Sequence, residues 1–586
     1  MRTTVAVYVN ADDALLRWAV DDLDDRCLGF AVQRLRNGGE ATWLDNFAPP
    51  GPAEHQTATF HRSDVAHFRC FSWTDHGVGA GDTVSYRVMP VMSDAPEPRE
   101  DLASEWSAPR TLRAGGAGRY SAYFNRGFVM SQFVSRYLDE RFPGVDRGQA
   151  LRRLKAELTT DLENRMRRQL SGQLRTALLD LLAGVARGRG HVYAALFELS
   201  DPELTARLAA LGPRAHVVLA NGSVQRRQGE TTAQARRRDE NAAARAALVA
   251  AGVDVETTNR FVAPGSLGHD KFLVVTTAAG RPRRVWTGST NWTPTGLCTQ
   301  LNNGLLVADA DVAAAYLEQW RALRAAGSGH PAALTTANDH PTAVGVDRPG
   351  AVRASVHFTR AHRRVDLGAL DGIVGAARHG VLFLMFMPGA SGVLGTVRRL
   401  AAARPDLLVR GVVSDLPKGP ADEHTGDETT LRVTLFGATP GAAPAEHVED
   451  VIQPEGMDHP AAGWAVEATR SQFAGNVGHA IIHSKVLLVD PFSDDPTVVT
   501  GSHNFSLSAS SENDENFVVV RGDSALAEAY AVNVQSAWRH YAGRTAQPHA
   551  ALRGIDYLSA LLADQRREQA FWERPAALVP APAPAG

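Results

Sequence analysis

Two stretches of the chain place a histidine two residues before a lysine at the head of an apolar run. His269-Asp270-Lys271 leads into Phe272–Val275, and His483-Ser484-Lys485 into Val486–Val489. If each run is a strand, its period of two turns the histidine and the lysine to one face. Sixteen or seventeen positions past each lysine begins Gly-Ser-x-Asn, as Gly288-Ser289-Thr290-Asn291 and Gly501-Ser502-His503-Asn504. Together the copies offer two imidazoles, two ammonium groups, two hydroxyls and two carboxamides. That set suits a phosphodiester. Lysine and asparagine donors can stabilise charge on the non-bridging oxygens, while one imidazole attacks phosphorus and the other protonates the departing oxygen. The cationic side chains already do the charge stabilisation, so this chemistry calls for no metal and no cofactor.

The pairs lie 214 positions apart, and each is followed by a strand pattern (Asn303–Val307, Asn516–Val520) and a helix pattern (near Ala313–Leu323 and Leu526–Trp538). A duplication is the plain reading. The copies are not equal. Five positions past its lysine the second carries Asp490, where the first has Thr276; eleven past its asparagine the second carries Glu515, where the first has Asn302, with Gln300 close by.

These residues resemble the HxK(x)4D and GSxN signatures of the phospholipase D superfamily. The architectural resemblance spans about residues 120–545, and the motif match is tight over about 265–306 and 480–520. It implies a two-lobed α/β fold, a site between the lobes and a covalent phosphohistidine. It also implies catalytic roles for His269, Lys271, Asn291, His483, Lys485, Asn504 and Glu515, with Ser289, Ser502, Asn302, Gln300 and Asp490 in support. The glutamate at the position of Glu515 commonly orients a histidine in this superfamily. If each copy supplies its own partner, Glu515 belongs to His483 and Asn302 to His269. A carboxylate favours imidazolium and suits a general acid, whereas an amide suits a neutral nucleophile. On that reasoning His269 is the nucleophile and His483 the acid, later the base that activates water. Tyrosyl-DNA phosphodiesterases show a similar amide-versus-carboxylate asymmetry.

The elements that must hold these residues can be read from periodicity. Residues 1–112 alternate as short strands separated by turn clusters and resemble a fibronectin type III or immunoglobulin-like β-sandwich, with Trp18 and Tyr86 as core residues. Residues 113–190 comprise a Gly-rich joint and a long amphipathic helix from Gln149 to about Val185, its arginines on the solvated face. Residues 191–325 alternate strand and helix as a first phospholipase D-like half. Residues 326–350, rich in Ala, Gly, Thr and Pro, read as a linker, and residues 351–545 as the second half. Within that half, 416–475 reads as insertions around one short strand, Leu431–Phe436. Residues 546–586 read as a C-terminal helix and a Pro/Ala-rich disordered tail. His191 and His216 read as satisfied polar residues, and Trp292 and Phe505 as packing beneath the site. Arg226, Arg227 and Arg236–Arg238 read as a solvated loop.

Composition narrows the substrate. With 61 basic against 64 acidic residues the net charge is −3, unlike a protein gripping nucleic acid or anionic membrane over its whole surface. Cys27, Cys70 and Cys298 are odd in number and far apart, which suits a reducing compartment. No signal-peptide pattern opens the chain, and the longest apolar run, Val381–Met387, is far short of the roughly 18 residues of a membrane span. A cytoplasmic protein is expected, with no transmembrane segment, peripheral membrane contact allowed and both half-sites in one chain. The leading expectation is hydrolysis or transfer of a phospholipid head group. The alternative is a metal-independent nuclease or nucleic-acid end-processing enzyme; a non-catalytic scaffold would leave both motif pairs unexplained.

Overall fold

The computed structural model describes all residues except 49–58, 96, 116–117, 128–130, 225–226, 257–259, 261–265, 389–391, 414–450, 453–481, 543–553 and 574–586. The expected strand Leu431–Phe436 and the expected disordered tail lie outside the described residues.

Two large mixed sheets dominate. The first runs Tyr120–Phe124, Asn303–Val307, Pro282–Gly288, Lys271–Thr276, Val192–Leu196, Ala215–Leu219, Asp254–Val255. The second runs Thr342–Val344, Arg353–Phe358, Asn516–Arg521, Thr497–Gly501, Val486–Val489, Gly380–Met385, Leu408–Val413, Val451–Ile452. After the extra edge strand Thr342–Val344, the second repeats the first strand for strand. Four antiparallel pairings are followed by two parallel ones in both sheets. The strands are β-branched and buried on both faces, as in Val486–Val489 and Asn516–Val520, because helices cover the outer faces. The inner faces share one core, with Phe272, Val274 and Leu305 from the first sheet and Val486, Leu488 and Val518 from the second.

The N-terminal 112 residues form antiparallel sheets. Thr3–Val9, Ala14–Val20 and Ser72–Asp75 make one, and Thr42–Trp43, Cys27–Arg36, Thr83–Met92 and Arg110–Thr111 another. Trp18, Phe30, Phe68 and Tyr86 are buried in their common core, and the Tyr86 hydroxyl donates to Asp75 at 2.9 Å.

Three expectations change. The long helix is broken twice: it stops after Arg147–Thr160, Asn164 caps Arg165–Arg187 with its Oδ1 accepting from the backbone of Met166 at 2.8 Å, and Gly172 (φ 52°, ψ −152°) breaks that second stretch. Arg167 does not lie on a solvated face; it is buried and paired with Asp201 at 2.8 Å. The linker 326–350 is structured, with a helix at Ala332–Asn338 and the edge strand Thr342–Val344. The C-terminal helix Gly554–Trp572 returns to the N-terminal sheets, burying Leu558 and Leu562 in their core. Its Glu568 meets Arg17 of the N-terminal sheet at 3.1 Å and Arg410 of the second large sheet. Among the described residues, no helix is long and apolar enough to cross a membrane.

Candidate active site

Each histidine sits just before the strand that carries its lysine, and each is stitched to the opposite half. Gly268 bridges Asp514, and the His269 backbone N–H donates to the Asp514 carbonyl at 3.0 Å. In the same way Ile482 bridges Leu301, and the His483 N–H donates to the Leu301 carbonyl at 2.9 Å. The next residue on each crossing segment therefore faces the ring. His269 Nδ1 lies 2.7 Å from Glu515 Oε2, and His483 Nδ1 lies 2.9 Å from Asn302 Oδ1.

This pairing corrects the assignment of partners within each copy. Glu515 belongs to His269 and Asn302 to His483, because the segments that follow the two Gly-Ser-x-Asn turns swap sides. Asn302 Nδ2 donates to the Gly296 carbonyl at 2.9 Å, which fixes its oxygen toward His483. An ionised carboxylate and an amide oxygen only accept, so both rings carry a proton on Nδ1; the backbones of Ser502 and Ser289 also lie within hydrogen-bonding reach of His269 and His483.

The serines act on the partners. Ser289 Oγ donates to Asn302 Oδ1 at 2.8 Å, and a bond from Ser502 helps hold Glu515 ionised. Lys271 and Lys485 donate to the carbonyls of His269 and His483 at 2.7 and 2.6 Å. Each ammonium also lies 4.8 Å from an aromatic ring, Phe197 or Phe386, and the same rings pack against His269 (4.6 Å) and His483 (4.8 Å). These two phenylalanines were not singled out from the sequence, although Phe386 lies in the apolar run Val381–Met387.

Asn291 and Asn504 do not take equal positions. Asn291 Nδ2 donates to Glu198 Oε2 at 2.7 Å, and both asparagines keep a buried Oδ1 without a partner. Gln300 does not reach a histidine; its carbonyl accepts from Asn125 Nδ2 at 2.6 Å, and its own side-chain oxygen is buried without a partner. Asp490 is a structural residue: its carboxylate accepts from the backbone N–H groups of Arg378, His379 and Gly380 at 2.7–2.9 Å. Trp292 and Phe505 are fully buried, in keeping with a packing role, and His216 pairs with Asp254 at 2.9 Å.

Crossed pairs recur beneath the site. Thr287 and Tyr316 of the first half donate to Asn516 Oδ1 at 2.7 and 2.9 Å, while Asn303 Nδ2 donates to Thr500 at 2.7 Å and Tyr530 at 3.0 Å in the second.

Burial and the two lysines set the electrostatics. Both histidines are held well below the usual imidazole range, first by burial and then by Lys271 and Lys485. Burial brings Lys271 down to about 8, and burial with Lys271 nearby brings Lys485 well below its usual range. Burial pushes Glu515 up to about 7 against the pull of Lys271. A bound phosphodiester monoanion would restore charge to these cations. Among the described residues, no cluster has the makings of a metal site.

Residues 448–538 match the family model described as cardiolipin synthase, PLD-like domain. His483, Lys485, Asn504 and Glu515 lie inside this match to a PLD-like domain. No curated protein matches the chain. Among solved structures, phosphatidylserine synthase from Haemophilus influenzae Rd KW20 is 12% identical, with a TM-score of 0.41 over 68% of this chain and 92% of that one. Polyphosphate kinase from Porphyromonas gingivalis is 14% identical, with a TM-score of 0.33 over 58% of this chain; the alignment spans 45% of the kinase's length. Nuc from Salmonella typhimurium, a phospholipase D family member, is 18% identical with a TM-score of 0.20, over 32% of this chain and 96% of that one.

Proposed function

We propose that the protein is a phosphodiesterase that hydrolyses or exchanges a phospholipid head group through a phosphohistidine, in a scaffold that arose by duplication. The observation that carries this reading is the crossed pair of imidazoles. Each Nδ1 is held by the opposite half, and both rings feel both lysines. His269 is the nucleophile, for a reason opposite to the one the sequence offered. When Nε2 bonds to phosphorus while Nδ1 keeps its proton, the ring becomes a cation, and the Glu515 carboxylate stabilises it. His483, held by a neutral amide, takes a second proton on Nε2 when the bound phosphodiester monoanion offsets the charge of Lys271 and Lys485, and gives that Nε2 proton to the departing oxygen as the P–O bond breaks. It then takes a proton from water or an acceptor alcohol, whose oxygen attacks phosphorus as the P–N bond breaks. The lipid assignment draws support from the near-neutral net charge and from the cardiolipin synthase description of the matching family model.

Vesicles of phosphatidylethanolamine or phosphatidylcholine with labelled phosphate, incubated in EDTA and quenched with base, should leave label on the His269 peptide. His269→Ala should abolish turnover, while His483→Ala should retain more activity on 4-nitrophenyl esters than on lipids. Label on the His483 peptide would reverse the roles. EDTA-resistant cleavage of DNA or RNA without head-group release would move the substrate to nucleic acid.

A further inference from the structure

The partners of the two histidines are themselves held, and by the same device in each half. Strand Tyr120–Phe124 pairs antiparallel with Asn303–Val307, with Phe124 opposite Asn303. Arg353–Phe358 pairs in the same way with Asn516–Arg521, with Phe358 opposite Asn516. One residue past each pairing, Asn125 faces Asn302 and Thr359 faces Glu515. Asn125 is 2% exposed and Thr359 0%.

Each closes a ring of two bonds on its partner's backbone. The Asn125 N–H donates to the Asn302 carbonyl at 3.3 Å, and the Asn302 N–H donates back to Asn125 Oδ1 at 2.7 Å. The Thr359 N–H donates to the Glu515 carbonyl at 2.9 Å, and the Glu515 N–H donates back to Thr359 Oγ1 at 3.0 Å. In a regular antiparallel pair both bonds run between main chains. Here the returning bond ends on a side chain, so the residue type decides whether the ring closes.

A second hold reaches toward the partner's side chain. Asn125 Nδ2 donates to the Gly296 carbonyl at 3.1 Å, the same oxygen that accepts from Asn302 Nδ2 and so turns Asn302 Oδ1 toward His483. Thr359 Oγ1 donates to the Asn513 carbonyl at 2.9 Å, and Asn513 Nδ2 reaches Glu515 Oε1 at 3.4 Å. An amide in one half and a hydroxyl in the other thus do one job at corresponding places. Hydrogen bonds weaken steeply as their angle closes, so the placing of each acceptor governs how each imidazole is aimed.

We propose that Asn125 and Thr359 are positioning residues, one for each histidine: Asn125 sets Asn302 against His483, and Thr359 sets Glu515 against His269. Their effect on the reaction rests on the phosphodiesterase reading; their effect on the rings does not. If they served only to join strands, their loss would disturb both histidines or neither.

The test reads each ring separately. In protein carrying isotope-labelled histidine, the two buried Nδ1–H resonances are assigned by their loss in His269→Ala and His483→Ala. Thr359→Val keeps the side chain's shape and removes its hydroxyl; it should shift the His269 resonance and leave that of His483 in place. Asn125→Asp keeps the acceptor for the Asn302 N–H and removes the Nδ2 donor; it should shift the His483 resonance alone. Thr359→Ser should return the His269 resonance to its wild-type position. On bis(4-nitrophenyl) phosphate, Thr359→Val should lower kcat about fivefold with KM little changed, the scale of one neutral hydrogen bond, and Thr359→Ser should recover it. Resonances that move together in each variant, or stay in place in both, would overturn the proposal, as would a Thr359→Val loss lying wholly in KM. Should Asn125→Asp not fold, the two Thr359 variants decide. If the wild-type protein hydrolyses no diester, the phosphodiesterase reading fails on its own, and the resonances still decide the positioning.

Discussion

Replacing Glu515 with glutamine isolates the charge in the crossed site. The amide can still accept from His269 Nδ1, now at 2.7 Å from a carboxylate oxygen, so the change removes charge while leaving the hydrogen bond available. Unit charges about 4 Å apart at an effective dielectric near 20 interact by roughly 4 kcal/mol. Burial has pushed Glu515 up to about 7, so about half the molecules carry the charge at neutral pH, a population factor of about twofold or roughly 0.4 kcal/mol. Loss of the remaining roughly 3.5 kcal/mol slows phosphoenzyme formation about 400-fold. Asn302→Ala, which removes a neutral hydrogen bond of about 1 kcal/mol, should cost nearer fivefold. The sign with pH follows. Glu515 stabilises the phosphoimidazolium only when ionised, so the wild-type rate should rise with pH through about 7 by this group, and Glu515→Gln should lose that limb. The assay is the burst of 4-nitrophenolate from bis(4-nitrophenyl) phosphate by rapid quench, repeated with an alkyl leaving group. If His269 is the nucleophile, Glu515→Gln slows both substrates alike, whereas Asn302→Ala penalises the alkyl ester more. An unchanged burst in Glu515→Gln, or a loss confined to the poor leaving group, would refute the reasoning.

Two further expectations concern stability. Burial would raise Glu568, but the guanidinium groups of Arg410 and Arg17 hold it down to about 2. Relative to an ordinary value near 4.5 that is roughly 3 kcal/mol. This contribution is fully present above the unfolded value and is lost as pH falls toward 2. Glu568→Gln should lower stability in urea at pH 7 by about that amount and flatten the acid limb; an unchanged midpoint would show that the triad holds nothing together. At Gly501 a Cβ would sit 2.6 Å from the Phe517 Cα and collide with the Asn516 carbonyl. Gly501→Ala should therefore cost several kcal/mol, of the order seen for overpacking, and a native melting temperature would contradict the close strand approach.

The strands were legible because period two and β-branched runs survive without context, as in Lys271–Thr276 and Val486–Val489. The stretches Arg147–Thr160 and Arg165–Arg187 read as one helix because the apolar spacing runs on across Asp161–Asn164 and across Gly172, where the backbone ladder breaks. The segment after Ala326 read as linker because its helix and edge strand are short, each burying few apolar side chains, notably Leu334 and Val344. Glu198 carries no motif: a single carboxylate after a strand gains meaning only when Asn291, 93 residues away, is seen to bond it.

The partner assignment failed for a reason that bears on mechanism. Spacing pairs Glu515 with His483 because both belong to the second copy, yet the bridges Gly268–Asp514 and Leu301–Ile482 join residues across the two sheets. Once each histidine borrows its orienting group from the other half, neither half holds a complete reacting pair, and the backbone symmetry cannot by itself assign roles. Direction must come from the side chains that break that symmetry. Two such breaks are present, Glu515 against Asn302 and Glu198 against Met387, and both carboxylates serve the His269 side. One carboxylate beside the ring favours a cationic phosphoimidazolium there, and the other accepts from Asn291 and lies near Lys271. The His483 side keeps an amide, so it has less hold on a proton and is suited to releasing one to the leaving alcohol.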